Sequence, residues 1–304
     1  MKRIILLFTA FVVSVSMLAQ SRTELYEQFK KSCEDGDTTA IKSIIAQWET
    51  AMPNDAELFS LYANYYLQKA RKEIVIVSKD IPEDPDIEYL VAKDSSGHTI
   101  YMYSEIDYDK ETLSLSLDKL KEGISKFPDR LDLRLGKAAG FGMIDSISAI
   151  VDELIEAIDH SKVNNNKWLY TLDEPVEDGE EWFTDIIQHY FLKLFSYEDT
   201  VDQGSRLVEH AVKAYPNNIK FLNDIVAVKY TNGDIEGALK DLLTIHEKDP
   251  EDMVVVYNIG YIYEKQGDIV NAIKYYKLLI YGNNEDYQKI GKKAVEELSA
   301  KLPK

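Results

Sequence analysis

The sequence predicts an all-α protein made of repeated helix pairs, interrupted by one small β insertion. Three observations predict it. Gly233-Asp234-Ile235-Glu236-Gly237-Ala238-Leu239-Lys240 returns 34 residues later as Gly267-Asp268-Ile269-Val270-Asn271-Ala272-Ile273-Lys274, with five of eight positions identical. The same shift relates Ile225 to Ile259, Glu251-Asp252 to Glu285-Asp286 and Pro216 to Pro250. A period in this range marks a repeat architecture in which each unit buries its apolar face on the next. Finally, 45% apolar and 29% charged residues over 304 positions exclude wholesale disorder and a multi-span membrane protein.

Each residue type in the repeat has a mechanical reason. Gly233 and Gly267 end one helix in a backbone conformation that other residues resist, and Asp234 and Asp268 can cap the next. Pro216 and Pro250 stop the second helix of a pair. Small residues at Ala238, Gly260 and Ala272 let paired helices approach. In 253–286 the pattern falls on Val256, Ile259, Gly260, Tyr263, Gly267, Asp268, Ala272, Tyr276 and Leu279. In 219–252 it falls on Leu222, Ile225, Val226, Lys229, Gly233, Asp234, Ala238, Leu242, Ile245 and Pro250. Unit 185–218 keeps Phe191, Leu192, Phe195, Gly204, Val208, Ala211 and Pro216.

This period and these residue types resemble the tetratricopeptide repeat (TPR). The resemblance implies a right-handed α-solenoid of about five TPR-like helix pairs, whose first helices line a concave groove. It is best matched over 185–286.

Upstream, Asp35-Gly36-Asp37 separates amphipathic stretches at Thr23–Cys33 and Thr38–Ala51, with Pro53 after them. Glu57–Ala70 and Lys110–Lys126 form the next expected pair, and Leu131–Phe141 with Asp145–His160 the one after. Residues 73–108 are an insertion. Within it, Tyr89–Lys93 and Thr99–Tyr103 flank Asp94-Ser95-Ser96-Gly97, which predicts a β-hairpin. Residues 163–180 are a second, loop-like insertion, Asn-rich and then acidic. Residues 287–304 are expected to cap the array, with Ile290, Ala294 and Leu298 on one stripe. On this reading 20–304 form one superhelical domain.

The first 19 residues have the order of a secretory signal peptide: Lys2-Arg3, an apolar run from Ile4 to Val13, then small residues. The uncharged stretch to Ala19 is 16 residues, short of the roughly 20 a bilayer span needs. Cleavage is expected after Ala19, with Ser16 as a second position. The remaining chain would carry 33 bases against 53 acids, a formal charge of −20. The expected location is therefore outside the cytoplasm, in a periplasm, with no membrane insertion once the signal is removed. The acidity disfavours nucleic acid as a partner. Cys33 is the single cysteine, so no intramolecular disulfide forms. It reads as a half-buried helical residue.

No catalytic motif is found: there is no G-x-S-x-G, no phosphate-cradling glycine loop and no H-E-x-x-H. The five histidines lack the three- or four-residue spacing of a helical metal site, although His189 and His210 could meet across one helix pair. Asp107, Asp109 and Glu111 alternate like the start of a calcium loop but lack its glycine and distal glutamate. Asp37-Thr38-Thr39, Asp145-Ser146-Ile147 and Asp199-Thr200-Val201 match an O-glycosylation triplet and equally suit helix N-caps; capping is preferred. No enzyme activity, cofactor or metal is expected.

Carried over from the repeat family, the groove positions fall on His189, Tyr190, Lys193 and Tyr197, then Asn223, Asp224, Ala227 and Tyr230, then Tyr257, Asn258, Tyr261, Glu264 and Lys265. Tyrosine suits a surface that is apolar on one side and wet on the other, though the same rings could pack between repeats. The family's carboxylate clamp is not matched, since Lys220 and Asn223 are three apart rather than four. The expected function is an exported scaffold that binds a protein or peptide segment. The alternative is a small-molecule or glycan-binding protein of the envelope.

Overall fold

A computed structural model of the chain describes residues 22–82, 84–282 and 284–302. The expected signal peptide lies outside them. Thirteen α-helices are present among the described residues, and no helix is long and apolar enough to cross a membrane. Contacts divide the chain into two compact units, Met1–Glu180 and Glu181–Lys304.

The first unit begins with α1 (22–34), α2 (Thr38–Ala51) and α3 (Glu57–Ala70). A sheet follows: β1 (Arg71–Ser78), β2 (Tyr89–Lys93) and β3 (Thr99–Tyr108). The chain returns to helix as α4 (Lys110–Lys126), α5 (Leu131–Gly142) and α6 (Ile147–Asn164). From α2 to α6 each helix packs on the next in the chain, as repeat arrays require. The core joins Phe29, Ile41, Ile44, Ile45, Trp48, Leu58 and Leu61, all buried.

The second unit holds most of α7 (Gly179–Phe195), then α8 (Val201–Ala214), α9 (Ile219–Thr231), α10 (Ile235–Lys248), α11 (Met253–Lys265), α12 (Ile269–Ile280) and α13 (Glu285–Ser299). Its core runs through Val226, Leu242, Ile245, Val256, Ile259, Tyr276 and Leu279 to Leu298 of α13. Helix α13 packs on α12, as expected of a terminal cap.

Local chemistry explains these boundaries. Gly233 (φ 81°) and Gly267 (φ 79°) are left-handed, and the following aspartates accept hydrogen bonds from Gly237 N and Asn271 N at the starts of α10 and α12. Asp37 caps α2 in the same way, accepting from Thr39 and Ala40 N. Gly260 allows a close helix approach, since a Cβ there would lie 2.9 Å from the Tyr276 ring.

Among the described residues the helices form six pairs plus α13, in line with the expected array of about five. Three features differ from the sequence-based expectation. The insertion is a three-stranded antiparallel sheet in the order β1-β3-β2, and it begins at Arg71. The expected hairpin is β2–β3, but β3 continues to Tyr108 and pairs with β1 from Arg71↔Tyr108 to Ser78↔Tyr101. The Ile74–Val77 run is β-branched throughout, which favours a strand over the continued helix turn.

Two of the three expected aspartate caps are also absent. Asp145 adopts φ 54° and donates its N–H to Gly142 O, closing α5 instead of opening α6. Thr200 precedes α8 without a side-chain cap; its hydroxyl donates to Leu194 O. Finally, 163–180 is a folded segment rather than an open loop. Trp168 is buried, Leu169 exchanges backbone hydrogen bonds with Asp129 and Leu131, and Val176 N donates to Trp168 O.

Candidate functional site

In the second unit α9 and α11 flank a cavity of about 260 Å³. Asn223, Ala227 and Tyr230 enter from α9, and Asn258 and Tyr261 from α11, while Leu242 of α10 closes the base. On α9 and α11 alike an asparagine precedes a tyrosine, by seven residues and by three, so each helix contributes one amide and one phenol. The Tyr230 and Tyr261 rings lie 6.3 Å apart. The neighbouring Tyr261 phenol raises the Tyr230 pKa.

Behind Tyr261 the rings continue. Tyr257 stacks on Tyr261 at 6.2 Å and tilts against Tyr276 at 6.1 Å and Tyr287 at 6.2 Å. The Tyr276 hydroxyl donates to Glu264 Oε2 at 3.0 Å, and its pKa is raised by burial and by that carboxylate. Lys265 Nζ stands 5.1 Å over the Tyr261 ring, in cation–π range. Tyr257, Glu264 and Lys265 thus support the cavity's aromatic wall without lining the cavity.

The other expected positions are placed elsewhere. Asp224 is buried and turned to Gln188 of α7, whose Nε2 donates to both carboxylate oxygens at 3.3 and 3.2 Å. Burial pushes its pKa up to about 6, and the Gln188 bond pulls the other way. His189 and Lys193 are exposed on α7, and Tyr197 is exposed beyond its end. Tyr190 is half-buried, with its pKa raised by burial, and its ring meets His189 edge-on at 6.5 Å. None of these four lines the cavity.

The first unit contains features that the sequence did not signal. A second cavity of about 260 Å³ lies among α1, α3, α4, α5 and the 170–171 segment, with Tyr26, Asn64, Asp132 and Tyr170 on its walls. Next to it, buried Arg130 meets Glu57 at 2.8 Å, Asp132 at 2.7 Å and Asp173 at 3.0 Å. Arg22 joins Asp55 and Asp173, each at 2.8 Å. Glu57 Oε1 also accepts from Leu172 N at 2.6 Å. This network holds Leu172 and Asp173 at φ 61° and 59°, where non-glycine residues are strained. Burial raises the Glu57 pKa against the pull of Arg130. Glu57 precedes Arg130 by 73 residues and Asp173 follows it by 43, so no local pattern reveals these two partners.

Cys33 is half-buried and its thiol is pushed up to about 11 by burial, away from the reactive thiolate range. Asp109 caps α4 by accepting from Thr112 N and pairs with Lys72, so it serves a helix start, while Asp107 lies in β3. No group of three or more metal-ligating side chains occurs among the described residues.

No family model and no curated protein sequence matches the chain. Solved structures resemble it at a distance. YrrB, described as a TPR protein with an unusual peptide-binding site, is 15% identical, covers 64% of this chain and 86% of its own, and has a TM-score of 0.37. The Cut9–Hcn1 hetero-tetramer of the APC/C is 11% identical, with 90% and 42% covered and a TM-score of 0.34. The TPR domain of P58(IPK) is 12% identical, with 92% and 65% covered and a TM-score of 0.34. The chain therefore spans less than two thirds of the last two. The array of helix pairs is seen directly in the packing of successive helices, α2 through α6 and α10 through α13.

Proposed function

We propose that the chain is a non-enzymatic interaction module that takes an extended protein segment into the cavity between α9 and α11. The observation that carries this reading is the pairing of two amides, Asn223 and Asn258, with two phenols, Tyr230 and Tyr261, around one apolar base. Amide side chains both donate and accept, which suits the repeating N–H and C=O of a peptide backbone. Tyrosine adds contact area at low entropic cost. The basic, apolar, small-residue order of the first 19 residues supports export to a periplasm.

Photoreactive residues at Tyr230 and Tyr261, with a control at exposed Thr244 on α10, test this in cells. The expected result is a discrete protein adduct from both cavity positions and none from Thr244. Adducts of equal yield at all three positions, or none, would overturn it. A second reading draws on the same groups, because aromatic faces and amides also suit a sugar. Glycan-dependent thermal stabilisation that Tyr261→Ala abolishes, without protein adducts, would favour it.

A further inference from the structure

The β1–β3 sheet has no core. None of its residues is buried, and Val75 (64% exposed) and Leu90 (72%) share one face. Strand β1 is also an edge, paired only with β3. Exposed edges are normally blunted by charge, proline or a bulge. Here Ile74-Val75-Ile76-Val77 lies on the edge with none of these.

We propose that β1 pairs antiparallel with β1 of a second copy, about a two-fold axis at Ile76, joining two three-stranded sheets into one of six strands. The charges flanking the apolar run identify the occupant and the register. Around an axis at Ile76, Val75 lies opposite Val77, Glu73 opposite Lys79, and Lys72 opposite Asp80. Directly opposed residues share a face of the sheet, so both charge pairs are in reach, and the two-fold repeats each of them. Lys79 and Asp80 directly follow the strand. Lys72 already meets Asp109 at 2.9 Å at the surface, and Asp80 would approach from the free side.

Neighbouring arrangements lack this match. Moving the axis to Val75 sets Arg71 against Lys79 and leaves Glu73 opposite Val77. The other edge is worse: self-pairing of β2 about Val91 puts Glu88 opposite Asp94. Like charges directly opposed destabilise a strand pair.

Sedimentation and light scattering across a concentration series test the proposal on the purified chain. The wild type is expected to show twice the chain's mass. Glu73→Lys and Lys79→Glu should each weaken the dimer about tenfold or more. The double variant should restore it, because the reversed charges attract again. A wild type that remains monomeric throughout, or a dimer indifferent to the single reversals, would overturn the proposal. Register is read separately in a Cys33→Ser background oxidised with copper–phenanthroline. Ile76→Cys lies opposite itself and should give a covalent dimer, whereas Ile74→Cys lies opposite Ser78 and should not. Equal crosslinking from both positions would reject the axis at Ile76.

Discussion

Arg130 Nη2 lies 2.8 Å from Glu57 Oε1, and the two side chains are 1% and 0% exposed. A buried guanidinium is tolerable only when its hydrogen-bonding capacity is met. Asp132 and Asp173 supply the remaining partners. Through Asp173 and the Leu172 N–H, the same network ties the segment after α6 to the start of α3.

Arg130→Ala should therefore destabilise the first unit by about 3–5 kcal/mol, because it removes the buried cation that faces Glu57 and leaves that carboxylate with only Arg22, at 3.7 Å, for charge pairing. Glu57→Ala should cost less, since Arg130 keeps two carboxylates. The double variant should cost less than the sum. Urea unfolding followed by tryptophan fluorescence measures all three; additive losses would show that the network does not act as a unit.

Asp224 makes stability depend on pH. Its folded pKa is raised from 3.8 to about 6, so the folded state holds its proton more tightly than the unfolded chain. Stability from this group is present below pH 3.8 and is lost as pH rises through about 6, at a cost of at most about 3 kcal/mol above it. Asp224→Asn should raise the melting temperature at pH 7 and flatten its pH dependence between about 4 and 6. A variant that melts lower than wild type at pH 7 would contradict the sign.

Within the proposed binding cavity, Tyr261→Ala should weaken partner binding by about 2 kcal/mol, near thirtyfold in Kd. His189→Ala, on exposed α7 surface away from the cavity, should leave Kd within about twofold. Calorimetry with the crosslinked partner separates the two sites; equal losses would mean that the binding surface is larger than the cavity.

At Gly260 the packing is intolerant of even one methyl group. Its Cβ would meet the Tyr276 ring at 2.9 Å, and that ring is held by the Glu264 bond. Gly260→Ala should cost about 1–3 kcal/mol, measured by thermal unfolding. A neutral effect would show that the ring can move.

The helix-pair repeat was legible because its signals are local. Gly233-Asp234 and Gly267-Asp268 encode a left-handed turn and a cap within two residues, and Pro216 and Pro250 encode the stops. Asp145-Ser146 misled because a left-handed aspartate closes the preceding helix, a choice made by backbone context. Strand β1 was missed because Ile74–Val77 follows a helix without a turn residue. Within the candidate site, Asn223, Tyr230, Asn258 and Tyr261 line one cavity, whereas Asp224 turns inward to Gln188.

The sequence by itself determined the repeat period, most helix boundaries, the hairpin core of the insertion and the excess of negative charge. The period shows as recurrence along the chain, the boundaries and the hairpin depend on residues within about one helical turn, and the charge depends on composition. Tertiary structure alone decided that Arg130, Glu57 and Asp173 share one buried network, that Asp224 is desolvated, and that the 163–180 segment is folded. The physical reason is distance along the chain. Burial and charge pairing depend on which residues meet in space, and Glu57 and Leu172 meet across 115 positions.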